Sequence, residues 1–270
     1  MGDRRGVLHP QRPQRWTVTR RPRIWEEILF IALAYELYSL VRNGVPTHEA
    51  TAFANAYAVL GVENTLRLSV EPAVNGALAG AAWLSTVAAY WYATMHFVVT
   101  IAVLVWLWRV HPLRYRAARS VLMTTNLVAL LGFWLFPLAP PRMLPGFVDT
   151  VARDHIWGSY ASNGVASASN QFAAMPSMHV GWSLWCGIVI VSLSRRSWVR
   201  ALGALYPVIT VAVIIGTANH YVLDAVGGVA ALACGFMVQR LRTGQPAFGT
   251  PVPVSSAPAS PQPGELRDAA

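Results

Sequence analysis

His220 and Asp224 are two ionisable residues in an otherwise apolar part of the sequence. They are four residues apart, and on a helix this spacing places both side chains on one face, one turn apart. A carboxylate bonded to one imidazole nitrogen fixes the tautomer and makes the other nitrogen a better nucleophile or base. The pair also fits a structural role, in which the two side chains satisfy each other at a helix end. Ionisable groups within apolar spans are costly, however, and tend to be functional.

A second candidate is the run Pro176-Ser177-Met178-His179, which has the features of a helix start. Proline suits the first turn of a helix, where its missing N–H costs nothing. The free amides of that turn, together with the Ser177 hydroxyl, would form an anion site beside His179. The alternative is an ordinary helix cap that is followed by a histidine without a chemical role.

Arg142 follows two prolines, so its backbone belongs to a stiff segment. It could clamp a phosphate group, or it could face lipid headgroups. Two histidines, an aspartate, an arginine and a helix N-terminus together supply what phosphoryl transfer without a metal needs. One imidazole attacks phosphorus, the other protonates the leaving oxygen, and the arginine and amides hold the phosphoryl oxygens.

The composition indicates that these residues are carried by a membrane protein. Hydrophobic residues make up 54% of the 270 residues and charged residues 12%, against roughly 25% charged in a typical soluble domain. The mean hydropathy is +0.41. These values argue against a soluble domain and against disorder. The net charge of +9 does not indicate nucleic-acid binding, because all 21 basic residues are arginines in short clusters between apolar runs. The two cysteines form no disulfide framework.

Six apolar runs are each long enough to cross a bilayer as a helix. The predicted fold is therefore an all-α polytopic bundle of about six transmembrane helices, in one catalytic domain over residues 24–242. A basic cytoplasmic tail over 1–23 precedes it, and 243–270 is predicted to be a disordered cytoplasmic tail. Residues 43–82 are expected to form short interfacial helices on the outer side, and 138–176 a long loop. The apolar runs lie near 24–42, 83–108, 119–137, 177–194, 199–217 and 221–240.

The distribution of arginines predicts the orientation in the cell membrane. With both termini in the cytoplasm, all of the 21 arginines except Arg42, Arg67, Arg142 and Arg153 fall on cytoplasmic segments. Such an asymmetry is a strong orientation signal. It predicts that the candidate site lies at one membrane level, on the extracytoplasmic side.

Three runs of residues resemble the motifs of the type 2 phosphatidic acid phosphatase superfamily. More narrowly, the chain resembles the branch of fungal inositol phosphorylceramide synthase and its bacterial relatives, over roughly residues 24–240. The runs are Ala139-Pro140-Pro141-Arg142, Ala174-Met175-Pro176-Ser177-Met178-His179 and Asn219-His220-Tyr221-Val222-Leu223-Asp224.

The resemblance implies a role for each residue and no metal or other cofactor. His220 would be the nucleophile that forms a phosphohistidine, and Asp224 would orient it. His179 would be the general acid for the leaving alcohol. Ser177 with its neighbouring amides, together with Arg142, would bind the phosphoryl group.

The sequence departs from the phosphatases of that superfamily in its cations. There is no lysine, and Arg142 follows its prolines. The serine-arginine pair that usually precedes the nucleophile is replaced by Val213 and Ile214. These departures favour the transferase-like branch. Arg42 and Arg67 are candidates for the missing cations, with contact to lipid headgroups as the alternative for each.

Three further polar residues are candidates for the cavity or the acceptor site. Glu36 lies inside the first predicted span, His96 lies inside the second, and Asn219 precedes the proposed nucleophile. Glu36 and His96 fit equally well as internal hydrogen-bonding partners between helices.

The predicted function is an integral membrane phosphotransferase or phosphatase that acts on a lipid-linked phosphate, with inositol-phosphate transfer as its specific form. A simple lipid phosphate phosphatase, of the phosphatidic acid or polyprenyl pyrophosphate type, is the nearest alternative. A lipid transporter or scramblase would explain the polar residues within spans, but not their gathering at one interface. A metal enzyme is the third class, since two histidines and a carboxylate can bind iron or zinc. The predicted partners are the bilayer and a membrane lipid substrate, and no nucleic acid.

Overall fold

A computed structural model of the chain describes residues 22–44, 49–154 and 170–248. Within these ranges the regular structure is helical, apart from one parallel β-bridge between Leu138 and Ala173. The described helices are α1 (Ile24–Asn43), α2 (Glu49–Thr65), α3 (Glu71–Ala79), α4 (Ala82–Tyr90), α5 (His96–Val110), α6 (Pro112–Leu135), α7 (Thr150–Arg153), α8 (Met178–Leu193), α9 (Ser197–Gly216) and α10 (Val222–Thr243).

The architecture confirms an all-α membrane bundle. Four described helical segments are long and apolar enough to cross a membrane: Ala82–Val110, in which a π-helical turn joins α4 to α5, and α6, α9 and α10. The helix α8 is apolar but has 16 residues, and α1 carries Glu26, Glu27, Glu36 and Arg42. The number of six spans therefore stays a prediction.

The predicted boundaries follow the apolar runs, and one start differs. The span predicted near 119–137 begins at Pro112, because the helix continues through turns that carry Arg114 and Arg116 outside the apolar run. Proline at this first-turn position suits a helix start. Most of the two predicted tails lies outside the described residues. In the described part of the second tail, Ala247 is buried and Phe248 packs against Phe236.

The helix α8 occupies the centre of the bundle and contacts α5, α6, α9 and α10. Trp185, Cys186 and Val189 on this helix are fully buried, in one core with Leu107 of α5 and Val121 of α6. A helix that is apolar all round suits such a central place.

Glycine permits the close approach of α10 to the start of α8. A Cβ atom at Gly228 would lie 2.4 Å from the backbone oxygen of Ser177, so only glycine fits this contact. Small residues at helix interfaces let backbones approach in this way within membranes. The first turns of the two helices are thereby held side by side.

The helices α2 and α3 pack at the end of the bundle where α8 and α10 begin, as their contacts with Val222 and Leu223 show. One side of α2 is buried through Ala52, Ala56 and Val59, while Tyr57 on the other side is exposed. Helices are therefore present where short interfacial helices were predicted. Arginines lie at the opposite end, in the last turn of α5, in the first turns of α6 and in the short connection from α8 to α9.

Candidate active site

Backbone hydrogen bonds join the three motifs into one unit. The N–H of Arg142 donates to the carbonyl oxygen of Ala218 at 2.8 Å, which links the first motif to the turn before α10. The N–H of Ser177 donates to the carbonyl oxygen of Asp224 at 2.9 Å, which links the second motif to the third. The convergence predicted from topology is thus present in the structure.

The segment before Arg142 is fixed on three sides. Leu138 N–H donates to the Phe172 carbonyl oxygen at 2.7 Å, and Ala139 N–H donates to that of Ala52 at 3.1 Å. The Tyr221 hydroxyl donates to the carbonyl oxygen of Ala139 at 3.0 Å. The prolines remove backbone donors from this segment, and these bonds hold the groups that remain.

His220 and Asp224 form the predicted pair. The Nδ1 atom of His220 lies 3.2 Å from Asp224 Oδ2, and the exposed fractions of the two residues are 6% and 0%. The same oxygen accepts the backbone N–H of Tyr221 at 3.0 Å. Asp224 stands in the first turn of α10, where the helix dipole favours a carboxylate. Because Nδ1 is engaged by Asp224, Nε2 is the nitrogen of His220 that can react.

His179 lies in the first turn of α8 and faces two other imidazoles. Its ring centroid is 5.5 Å from that of His220 and 4.4 Å from that of His96. Its other face stacks on Tyr92 at 4.3 Å. The structure therefore brings His96 to the site, and it adds Tyr92, which the sequence analysis missed.

The π-helical turn Trp91–Met95 places Tyr92 and His96 at this position. Such a turn inserts one residue into a helix and is frequently found at functional sites. The Tyr92 carbonyl oxygen lies 3.1 Å from Nδ1 of His96. The aromatic run Tyr90-Trp91-Tyr92 was the sequence signal for Tyr92 in this wall of the site.

Arg142 and Asn219 meet directly. The Nη1 atom of Arg142 donates to Asn219 Oδ1 at 2.5 Å, and its Nε lies 3.5 Å from Asp149 Oδ2. The Arg142 side chain is only 5% exposed, so the guanidinium faces the interior. The amide of Asn219 is held in turn by the backbone and side-chain oxygens of Thr217. Asp149 is a second residue that sequence reasoning missed.

Ser177 is the residue at the N-cap position of α8, yet its side chain does not cap the helix. Its hydroxyl oxygen is buried and has no hydrogen-bond partner among the described residues. Buried polar atoms without partners are rare. An anion at this helix N-terminus would give the hydroxyl and the first-turn amides a partner.

Arg42, at the end of α1, is half-buried, and its charge acts on the His179 ring. Its guanidinium donates to the Asn170 carbonyl oxygen at 3.1 Å. Arg67 is exposed in the turn after α2, with a left-handed backbone. Neither Arg67 nor Glu36 is brought to the site. The Glu36 side chain is exposed on α1 beside the exposed Leu33, because the helical twist turns it outward.

Two buried carboxylates under α10 were not predicted as site residues. Glu63 of α2 accepts the backbone N–H of Leu223 at 2.7 Å, and Glu71 of α3 accepts that of Val222 at 2.9 Å. Both residues are fully buried. Burial raises the pKa of the Glu63 carboxyl to about 8. Acidic residues in a mostly apolar segment were the signal that the sequence offered. In the described part of the chain, no three His, Cys, Asp or Glu side chains are grouped so that they could hold a metal ion.

Comparison with family models matches residues 57–238 to the PAP2 superfamily. This match covers more than half of the chain and includes all three motifs. No curated protein and no solved structure gives a significant match. The superfamily brings together membrane phosphatases and phosphotransferases, which agrees with the apolar helices and with the resemblance of the motifs. The chain belongs to the PAP2 superfamily.

Proposed function

We propose that the protein transfers a phosphoryl-linked headgroup from a membrane lipid to an alcohol, through a phosphohistidine on His220. The observation that carries this proposal is the His220–Asp224 hydrogen bond of 3.2 Å, with His179 facing the same imidazole. A nucleophile with an orienting carboxylate and a second acid–base group at the same place is the arrangement that covalent catalysis needs.

The reaction takes two balanced steps. In the first, Nε2 of His220 bonds to phosphorus while the bond from phosphorus to the lipid alcohol breaks, and His179 gives that oxygen a proton. In the second, an acceptor hydroxyl gives its proton to His179 and bonds to phosphorus, while the phosphorus–nitrogen bond breaks. With water as the acceptor, a diester donor would release its headgroup phosphate as a monoester, and a monoester donor would release inorganic phosphate, which is a phosphatase reaction.

The phosphoryl oxygens would be held by the start of α8 and by Arg142. The unpartnered Ser177 hydroxyl and the first-turn amides point to an anion there. Preorganised donors of this kind stabilise charge that develops in the transition state. Arg42 supplies a second positive charge near His179.

The small number of cations supports a phosphodiester donor. The position where the phosphatases carry an arginine is occupied by Ile214, which is fully buried among apolar side chains. Arg142 shares its charge with Asp149. A phosphate monoester carries about 1.5 to 2 negative charges at neutral pH, whereas a diester carries one. The site therefore suits a diester such as phosphatidylinositol, with inositol-phosphate transfer as the proposed form.

The experiment that tests the proposal uses detergent-purified protein with phosphatidylinositol, phosphatidic acid or a polyprenyl pyrophosphate, each with and without a free alcohol. Inorganic phosphate and new phosphodiester are measured, and His220→Ala is the matched control. A new phosphodiester that depends on the alcohol, with no phosphate release, would support the transferase. Phosphate release without an alcohol would replace it with a phosphatase.

The covalent intermediate has its own test. Quenching the reaction during turnover of a labelled donor should trap an acid-labile phosphoprotein that the His220→Ala variant lacks. Equal labelling of both proteins would overturn the assignment of His220. Absence of turnover on every donor, together with lipid movement in vesicles, would favour a transporter or scramblase instead.

A further inference from the structure

Glu63 and Glu71 lie outside the three motifs, but both contact α10, the helix that carries Asp224. Glu63 belongs to α2 and Glu71 to α3. One carboxylate oxygen of each accepts a hydrogen bond from a backbone N–H in the first turn of α10. The turn they hold contains Asp224, the partner of His220. The first N–H groups of a helix have no intrahelical acceptor and need one from elsewhere.

The two remaining oxygens are the unusual feature. Oε2 of Glu63 and Oε2 of Glu71 are buried and accept no hydrogen bond from any described donor. The two side chains nevertheless lie within hydrogen-bonding reach of each other. Ionised carboxylates are only acceptors, so a bond between them requires that one holds a proton.

The groups around the pair also favour a retained proton. The negative charge of Asp224 on α10 repels the negative charge that Glu63 would carry without its proton. Burial raises the pKa of Tyr221. The nearby charges of Asp224, Glu63 and Glu71, together with Tyr57 of α2, raise it further. Burial, followed by the hydrogen bond and charge of Glu71, raises the pKa of Glu63 to about 8, although the Leu223 N–H opposes the shift.

We propose that Glu63 and Glu71 are positioning residues, which share one proton and hold the first turn of α10 so that Asp224 and His220 stay in register. Loss of the proton would leave two like charges beside Asp224, and their repulsion would loosen the turn. The effect on catalysis rests on the proposed function, whereas the effect on the turn does not.

The test uses Glu63→Gln, Glu71→Gln and the double variant E63A/E71A. A glutamine keeps an acceptor for the helix amide and a donor for the other carboxylate, without a titrating proton. The matched control is Glu49→Gln, on the same helix but exposed. Two readouts are compared: hydrogen exchange of a peptide that contains residues 221–226, and the pH profiles of kcat and KM for the donor.

Hydrogen exchange tests the pair without a substrate. In the parent protein, exchange of the α10 first turn should increase near pH 8 beyond the intrinsic rise seen in an unfolded peptide, and Glu63→Gln should remove this excess. The E63A/E71A variant should exchange about tenfold faster at every pH, and Glu49→Gln should match the parent. A pH response in Glu63→Gln equal to that of the parent would overturn the proposal. This outcome can be read even if the double variant does not fold.

Activity then tests the positioning role. The E63A/E71A variant should lose about tenfold or more in kcat with little change in KM, and Glu63→Gln should keep kcat near pH 6.5 while losing the alkaline decrease. A purely structural pair would leave the shape of the pH profile unchanged, which would overturn this role. Absence of activity in the parent would count against the proposed function alone, because the exchange experiment needs none.

Discussion

The backbone N–H of Ser177 donates to the backbone carbonyl oxygen of Asp224 at 2.9 Å. This bond ties the proposed phosphate-binding start of α8 to Asp224 on α10, the residue proposed to orient the nucleophile. His179 lies two residues after Ser177 and His220 lies four residues before Asp224, so the same contact helps to set the separation of the two imidazoles. The two histidines proposed to be catalytic therefore stand on one backbone unit, which is the kind of preorganisation that catalysis requires.

Gly228→Ala should disturb this unit. The new Cβ would lie 2.4 Å from the Ser177 oxygen, and a backbone atom does not move aside as a flexible side chain does. We expect a loss of about 1–3 kcal/mol in stability, as for other overpacked sites, and a fall in kcat. Melting temperature in detergent and turnover measure the two effects. Gly76→Ala is the control, because nothing lies within 4 Å of its Cβ; equal effects at both positions would refute the explanation.

Asp224→Asn should lower kcat by about three to four orders of magnitude, as replacement of an orienting carboxylate does elsewhere. The amide keeps the shape of the side chain but loses the negative charge beside Nδ1 of His220. Substrate binding should change little, because Asp224 is fully buried and its Oδ2 is engaged by His220 and the Tyr221 N–H. Steady-state kinetics separate kcat from KM, and an unchanged kcat would make the His220–Asp224 pair structural.

The sequence predicted an all-α membrane bundle because its apolar runs are long, and it predicted that the three motifs meet because they lie at one predicted membrane level. Contacts between residues that are far apart in the chain leave no such pattern in the sequence. Glu63 bonds to a residue 160 positions away and Glu71 to one 151 positions away, through backbone N–H groups that any residue type could supply.

Position within a span does not tell which way a side chain faces. Glu36 was placed correctly within α1, but its face points away from the site. His96 reaches the site because a π-helical turn changes the helical register before it, and regular periodicity does not reveal such an insertion. Membership of the inositol-phosphate-transferring branch is defined by the lipid donor and the acceptor. The spacing of residues in the sequence does not specify either of them.

Arg142→Lys should weaken donor use by about 10-fold or more in kcat/KM. The planar fork of arginine can bind Asn219 and a phosphoryl oxygen together, whereas a lysine ammonium is a point charge. Arg67→Asn is the control, since Arg67 is exposed and asparagine tolerates its left-handed backbone. Kinetics over a range of donor concentrations give the comparison. Similar losses in both variants would mean that the loss does not come from the geometry of the Arg142 guanidinium.

Thr65→Cys should react with a membrane-impermeant maleimide in intact cells, and Ser197→Cys should react only after permeabilisation. Thr65 lies at the end of α2 near the site, and Ser197 lies beside Arg195 and Arg196 at the opposite end; both residues are exposed. The arginine-rich end should face the cytoplasm. The parent protein controls for its own cysteines, one buried and one half-buried. The reverse labelling pattern would invert the proposed topology.

Stability of the folded protein should depend on pH through Glu63. Its pKa in the folded state is about 8, above its ordinary value of 4.5. A group with a raised pKa contributes stability that is complete below the ordinary pKa and is lost as the pH rises through the folded pKa. The melting temperature of the parent should therefore fall between pH 4.5 and pH 8 relative to that of Glu63→Gln, which has no carboxyl proton to lose at this position. Glu49→Gln, on the exposed start of α2, should follow the parent. A constant difference between the parent and Glu63→Gln over this range would mean that Glu63 is already ionised in the folded protein.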